Sequence, residues 1–411
     1  MGCPRCCSSP PYGSMSQRKT MAIWQPYFLG GGAEAVALWT LVALGSTYDI
    51  TLHTLVDIDL DRLNTMYGTA LSRDRPASDS ARATTCPQAG PAIQVKALLG
   101  SRLRPWIHRL IANLPWMRLG LIHWSLARFR AVSADYDLVM STYNAVDLGR
   151  PGLQYLHWVH VVEQSWSQAT PAMKLMLWWF KFSPERLQAN RSLANSIHTA
   201  QAVQQAYGLG PQVVYPPVTT ALTPLTWAQK EQAFVCSGRV VVAKYTHRVI
   251  EILAAVRRQG FDIKLYITGG GGGTYSWGYG RKVRRLAAAH ADWVQLYYDL
   301  PYSDYLALLT RCRYGLHHKP EPFGIAVAEM VQAGMIPFVT NRGGQIEIVN
   351  SANTDIIFQS AQEAVDKIVA VLASPQRQRT LLDSLQQQRT LFSFDRFMRA
   401  MQQAAREIDT N

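Results

Sequence analysis

Cysteine is scarce in this 411-residue chain, and the six present do not form a scaffold. Cys3, Cys6 and Cys7 crowd the N-terminus, while Cys86, Cys236 and Cys312 are scattered. This excludes a disulfide framework, and Cys3-x-x-Cys6 has neither a second pair nor a nearby histidine with which to hold zinc. Acidic residues are also in deficit, 28 Asp and Glu against 41 Lys and Arg, which gives a net charge of +13 and favours anionic partners. No nucleic-acid-binding motif accompanies that charge, so nucleic acid is not expected as a partner. Long apolar runs are missing as well. Nothing approaches about 18 uninterrupted apolar residues, and the densest stretch, 173–182, carries Lys174 and Lys181, which argues against a membrane-spanning helix. Residues 1–20 lack the apolar core of a secretory signal. Met-Gly-Cys hints at acylation, but Cys6 stands where myristoylation prefers Ser or Thr, and the segment reads as a flexible leader. Neither glycine cluster follows a standard nucleotide fingerprint: 30–32 is not spaced Gly-x-Gly-x-x-Gly, and no Gly-Lys-Ser/Thr follows 269–273.

What is present is an alternation of strands and helices, repeated twice. The length exceeds the roughly 250–300 residues at which a single core stops growing, so two domains are expected. Residues 22–28 read as a strand leading into Gly30-Gly31-Gly32-Ala33-Glu34 and a helix through Leu44. Further strands follow at 49–55, 136–142 and 153–157, the last ending in His157, and an extended Pro-Pro segment at 213–218 closes the half. After a Thr- and Pro-rich linker the pattern restarts with a strand from Phe234, a loop carrying Arg239 and Lys244, and a helix to Arg258. Strands at 263–268, 293–298, 314–317 and 336–340 follow, and Ser393 caps a final helix over 394–408. The expected class is α/β, with the leader at 1–20, an N-terminal domain at 21–218, a linker at 219–230, a C-terminal domain at 231–392, and residues 393–411 crossing back as a helix. Ligands of such open sheets bind at the C-terminal ends of the strands, which points to an interdomain crevice.

Two carboxylates flank one short apolar helix. Pro320 and Pro322 hold the backbone extended, Gly324 frees it to turn, and apolar residues run from Ile325 until Gly334. Glu321 then lies in the entry loop and Glu329 inside the helix, where an acid among apolar residues requires a polar partner such as a pair of ligand hydroxyls. The free N–H groups at the helix start suit a phosphate. Gly31 and Gly32 let a ligand approach the backbone closely. Arg239 offers a fork for phosphate oxygens and Lys244 a mobile point charge, so the two together can neutralise a diphosphate. Plainer readings stand beside these: Glu329 paired with a structural arginine, Glu321 a solvated loop acid, His157 a structural histidine, and Arg239 with Lys244 a solvated pair.

Glu321-Pro322-Phe323-Gly324 followed by Glu329 resembles the E-x7-E motif of retaining nucleotide-sugar glycosyltransferases of the glycosyltransferase family 4 type. The stretches 30–34, 155–157, 196–218, 238–244 and 318–348 resemble matching parts of that family. The resemblance implies the GT-B architecture, two facing Rossmann-like domains around an active-site crevice. It implies that Glu321 faces the transferred sugar with His157 beside it as catalytic residues, His160 competing for the latter role. It further implies that Glu329 binds the donor ribose, that Arg239 and Lys244 clamp the diphosphate, and that Phe323, Gly324, Gly31 and Gly32 complete the donor site. No metal or other cofactor is implied, because two cations and a helix N-terminus can supply the charge. The expected reaction moves a hexose to a hydroxyl of a glycan or lipid-linked acceptor. A narrower similarity, to α-1,2-mannosyltransferases acting on lipid-linked oligosaccharides, points to GDP-mannose. The rivals are a sugar-nucleotide epimerase or phosphorylase of like fold, and a non-catalytic nucleotide- or membrane-binding module.

One further stretch bears on partners. Residues 81–134 contain no acid but hold Arg82, Lys96, Arg102, Arg104, Arg109, Arg118, Arg128 and Arg130, interleaved with Trp106, Trp116 and Trp124. The pattern fits a basic helix on an anionic membrane surface, which would make the protein peripheral on the cytoplasmic face of a membrane; the alternative is a core helix with a solvated basic face.

Overall fold

Two wholly parallel sheets organise the chain, as the alternation of apolar strands with covering helices requires. The structure, a computed structural model, describes residues 18–73, 90–158, 170–218, 225–270 and 277–409. The N-terminal sheet holds β1 (Thr20–Trp24), β2 (Asp49–Val56), β3 (Ser72–Arg73), β4 (Ala92–Leu99), β5 (Leu138–Ser141), β6 (Leu153–Leu156), β7 (Arg191–Ala194) and β8 (Gln212–Val213), in the order β3-β4-β2-β1-β5-β6-β7-β8. The C-terminal sheet holds β9 (Glu231–Ser237), β10 (Lys264–Thr268), β11 (Val294–Tyr297), β12 (Cys312–His317), β13 (Ile336–Thr340) and β14 (Ile357–Phe358), in the order β11-β10-β9-β12-β13-β14. The first strand of each half is central, and the chain order reverses beside it, between β1 and β5 and between β9 and β12. Loops leaving the C-terminal ends of these strands splay apart at the reversal, which is where a ligand crevice forms.

The helices that bear on the site and its surroundings are α1 (Gly32–Leu44), α2 (Arg104–Asn113), α3 (Pro115–Val132), α4 (Pro171–Trp179), α5 (Ile197–Tyr207), α6 (Thr246–Arg258), α7 (Tyr302–Arg311), α8 (Ile325–Gln332), α9 (Gln345–Val349) and α10 (Phe394–Asp409). Helix α10 returns to the N-terminal domain. Its apolar stripe, Phe397, Met401, Ala404 and Ala405, is buried with Met21, Ile23, Leu38 and Leu52 in one core. Phe394 packs on Trp39 with ring centroids 4.1 Å apart, and Gln402 donates to the Ala43 carbonyl at 2.8 Å. Each large side chain buried this way contributes about 1.5–3 kcal/mol, so this helix is part of that domain's core.

Several sequence expectations shift in detail. The first strand starts at Thr20, whose N–H and hydroxyl both donate to Asp137 at 2.7 and 2.9 Å. Lys230, assigned to the linker by composition, is buried in the C-terminal domain, where its ammonium donates to the carbonyls of Thr310, Cys312 and Ala333. Burial lowers its pKa to about 8. The five-glycine run lies mostly outside the described residues.

Within its described residues the acid-free span is not a single helix. It contains β4, α2 and α3, and many of its residues have internal partners. Ile111, Ile122, Leu126 and Phe129 are buried against Trp24 and Tyr143, and Trp124 packs on the same core under Arg128. Lys96 donates to the Tyr136 hydroxyl at 3.1 Å, Arg104 to the Asp57 carbonyl at 2.7 Å, and Arg130 pairs with Asp147 at 3.4 Å. Arg102, Leu103, Trp106 and Arg109 stay exposed. Among the described residues no helix is long and apolar enough to cross a membrane.

Candidate active site

Strand β12 delivers the central group. It ends at His317, and the chain then runs across the top of the sheet to Glu321, whose backbone is fixed by the turn after β13. Glu321 N–H donates to the Gln345 side chain at 2.8 Å, and Gly344 N–H donates to the Glu321 carbonyl at 2.8 Å. Gln345 is fully buried and also donates to the Lys319 carbonyl at 3.2 Å, so one side chain holds both ends of the loop. The Glu321 carboxylate meets the Lys244 ammonium, lies 3.1 Å from Lys319 Nζ, and has His317 Nε2 at 3.6 Å. Burial opposes its ionisation, but the His317 imidazole and the charges of Lys244 and Lys319 outweigh that and hold the carboxyl well below the usual carboxylate range. His317 is itself buried, and burial keeps its pKa low, so the ring is neutral at physiological pH.

Helix α8 begins directly after this loop. Gly324 caps it at φ +109°, a conformation that a side chain would strain. Its first turn abuts the glycine turn of the other domain so closely that a Cβ at Gly32 would collide with Ile325. Glu329 sits inside α8, and the polar partners it requires are supplied by the protein: Tyr305 donates to it at 2.8 Å and Tyr302 at 3.2 Å, both from α7. Part of the residue's surface stays open, yet its carboxyl group is enclosed, and this burial raises its pKa to about 7 against the two hydrogen bonds. The Phe323 side chain is buried, 6.0 Å from the Tyr215 ring and 5.6 Å from that of Phe392, so its ring belongs to the core and its backbone is what it can offer a donor.

Arg239 and Lys244 leave β9 through Gly238. Lys244 folds back against Gly238 and onto Glu321, whereas Arg239 is exposed toward the other domain. There it favours ionisation of the buried Glu34, although burial raises the pKa of that group overall. Glu34 accepts from the Leu29 N–H at 3.3 Å, and Gly31 exchanges hydrogen bonds with the Tyr67 hydroxyl at 2.8 and 3.0 Å. Gly31 and Gly32 therefore form the facing wall of the crevice.

His157 follows β6 and is fixed within the N-terminal domain. Its Nε2 donates to the Thr142 carbonyl at 2.9 Å, its N–H to Asn144 at 3.1 Å, and its carbonyl accepts from Asn195 at 3.3 Å. Burial lowers its pKa to about 4. A neutral ring fixed by its Nε2 proton presents only Nδ1, as an acceptor, to whatever lies beside it. His160 lies outside the described residues.

Several residues that the sequence reading left without a role are decisive in the fold. His317 and Lys319 could have been found as the basic residues four and two positions before Glu321, and Tyr302 with Tyr305 as a pair spaced to share one helix face. Glu347 has no such local signal. From the C-terminal domain it accepts from the backbone N–H groups of Ile197 and His198 at 2.8 and 2.7 Å and from the Tyr215 hydroxyl at 3.0 Å, and so caps α5 of the other domain. Ser196 adds a 2.6 Å bond to the Pro322 carbonyl, one residue from Glu321. Asp57-Ile58-Asp59-Leu60-Asp61, an aspartate spacing also passed over, follows β2. Asp57 pairs with Arg73 at 2.7 Å and Asp59 caps the next helix at 3.1 Å, and among the described residues no cluster of three His, Cys, Asp or Glu is placed to hold a metal ion.

Comparison with known proteins agrees with this geometry. Residues 220–386 match the family model described as Glycosyl transferases group 1. An uncharacterized glycosyltransferase of Bacillus subtilis, YqgM, is 27% identical over 156 residues, which is 37% of this chain and 42% of that protein's length. Among solved structures, Anabaena HepE in complex with UDP and glucose superposes with a TM-score of 0.65 at 16% identity, over 96% of this chain and all of that one. Sucrose-phosphate synthase from Thermosynechococcus elongatus superposes with a TM-score of 0.63 at 15% identity, over 95% and 99% of the two chains. The fold is that of the GT-B glycosyltransferases, two parallel-sheet α/β domains facing across a crevice.

Proposed function

We propose that this protein is a retaining glycosyltransferase that moves a hexose from a nucleoside diphosphate sugar to an acceptor hydroxyl. One observation carries the reading: a largely buried carboxylate, Glu321, is paired with Lys244 and Lys319, with His317 beside it, at the head of a helix that faces a glycine turn across the interdomain crevice. The matched family model over 220–386 and the UDP and UDP-glucose held by the similar HepE structures support a nucleotide-sugar donor.

In this reading the donor diphosphate lies against the N–H groups that open α8, with Arg239 beside it. Lys244 lies within reach of both Glu321 and the phosphate position. Glu321 accepts hydrogen bonds from hydroxyls of the transferred sugar and stabilises the positive charge that builds at its anomeric carbon. The bond from that carbon to the phosphate oxygen breaks as the bond to the acceptor oxygen forms on the same face. The acceptor proton passes to the departing phosphate. Glu329 takes the ribose hydroxyls, with its tyrosine partners fixing the orientation of the carboxylate. His157, neutral and held through Nε2, accepts from the sugar or acceptor through Nδ1. UDP-sugars are the first donors to test and GDP-mannose the next. The acceptor is a glycan or lipid-linked saccharide at the cytoplasmic face of a membrane.

The test is release of nucleoside diphosphate from a panel of donor sugars with and without acceptor. The donor itself is found by thermal shift, where a ligand at 100 times its Kd stabilises the fold by about 2.7 kcal/mol. Release that depends on a hydroxyl acceptor, with the anomeric configuration kept in the product, is expected. Donor turnover without an acceptor, or an altered sugar still joined to its nucleotide, would instead identify a phosphorylase or an epimerase.

A further inference from the structure

Helix α4 presents its apolar residues to solvent. Among its described side chains only Leu177 is buried, while Leu175, Trp178 and Trp179 are 64%, 72% and 73% exposed. Positions 175, 178 and 179 are neighbours at helical spacing, so the three form one ridge. A ridge of two tryptophans and a leucine is on the order of the largest apolar patch that an ordinary monomer shows. It is also tied to α3. Directly after the helix, the Phe180 carbonyl accepts from Arg130 of α3, and the Phe180 ring stacks on His123 of α3 at 6.2 Å.

The charge along this segment of the chain is of one sign. Lys174 and Lys181 flank it, both exposed, and from residue 170 to residue 184 there is no acid. Protein interfaces are depleted of lysine at their apolar centres. Tryptophans bordered by lysines suit the boundary of an anionic bilayer, where the rings enter the headgroup region and the ammonium groups stay at the lipid phosphates. We propose that α4, through Leu175, Trp178 and Trp179 with Lys174 and Lys181, docks the N-terminal domain on an anionic lipid surface. This places the membrane contact on a different element from the acid-free span, in which Arg104, Lys96 and Arg130 already have internal partners. The proposal deepens the membrane-side part of the transferase reading and rests on that reading only for the purpose of the contact. The contact itself is measured without donor or acceptor.

The experiment is cosedimentation of the full chain with phosphatidylcholine vesicles and with vesicles that also contain phosphatidylglycerol, at low and high salt. Wild type binds the anionic vesicles, and the binding weakens but persists as salt screens the lysines. Changing Trp178→Ser and Trp179→Ser together lowers the partition coefficient by roughly tenfold or more at both salt concentrations, equivalent to about 1.4 kcal/mol. Lys174→Gln with Lys181→Gln lowers it at low salt only. Arg102→Gln with Arg109→Gln has the smaller effect. An unchanged far-UV circular dichroism spectrum and thermal unfolding midpoint confirm that each variant is folded, as these exposed positions allow. Wild type that ignores anionic vesicles overturns the proposal, and so does a tryptophan double variant that binds them equally well. A concentration-dependent dimer lost in that variant, without vesicle binding by wild type, overturns it in favour of a contact between copies of the chain.

Discussion

Replacing Glu329 by Gln should stabilise this protein above neutral pH. In the folded chain the carboxyl is enclosed by Tyr302, Tyr305 and the body of α8, and burial raises its pKa from the ordinary 4.5 to about 7. A raised carboxyl pKa means that the folded state holds the proton more tightly than the unfolded state does. The folded state therefore binds more protons between pH 4.5 and about 7, and stability falls across that window as pH rises. Below 4.5 both states are protonated and the group costs nothing. Above about 7 the full cost is present, and at 1.36 kcal/mol per pH unit it comes to about 3 kcal/mol. Glutamine has the shape of the protonated acid, can still bond both tyrosine hydroxyls, and cannot ionise. The variant should match wild type near pH 4.5 and melt higher at pH 8, by about 6–12 °C for a domain of this size. The assay is thermal unfolding of the nucleotide-free protein at intervals from pH 4.5 to 8. Parallel curves for the two proteins across the whole range would show that Glu329 ionises freely and would refute the reasoning. The same linkage bears on binding: if the ribose hydroxyls donate to the carboxylate, donor affinity rises with pH toward about 7 in wild type and is flat in the variant.

Glu321→Gln should leave the fold intact, since its loop is held through backbone contacts with Gln345 and Gly344, but should reduce turnover by the equivalent of about 2–4 kcal/mol; near-normal kcat in a folded variant would remove Glu321 from the chemistry. Replacing Arg239 or Lys244 by Ala should weaken binding of the nucleoside diphosphate far more than of the bare nucleoside, measured by calorimetry, and equal losses for the two ligands would make the pair structural. Lys244→Ala has a second signature: it removes one of the charges that depress the Glu321 pKa, so the acid limb of the activity profile should move to higher pH. Glu347→Gln should remove the charged cap of α5, lowering stability by about 0.5–2 kcal/mol and opening the angle between the domains in solution scattering; an unchanged scattering profile would mean that the clasp does not set that angle.

The architecture was legible in the sequence because it depends on local patterns. The period-two and period-3.6 apolar runs, the glycines that end strands, and the Ser393 cap are read within a few residues of one another, and they place β1, β2, β9, β10, β12 and β13 as well as helices α1 and α10. The prominence of Glu321 and Glu329 was also local, since a charge beside or within an apolar helix is anomalous wherever the helix goes. Only the tertiary structure could decide what those charges meet. Glu329 finds its tyrosines on α7, more than twenty residues away in sequence, and Glu321 meets Lys244 across 77 residues. Phe323 was placed at the donor site by the resemblance of its motif, and its ring packs between Tyr215 and Phe392, both remote in sequence. The acid-free span looked like one basic surface because composition counts charges without their partners, and Asp57, Asp147 and Tyr136 come from elements that the fold brings to it. Exposure, likewise, is no property of a residue type. The tryptophans of α4 could equally have been core, and they face solvent because Leu177 and the contacts of Phe180 with α3 orient that helix. Backbone preference acts between near neighbours, while the charge and burial of a side chain are set by whatever packing brings beside it.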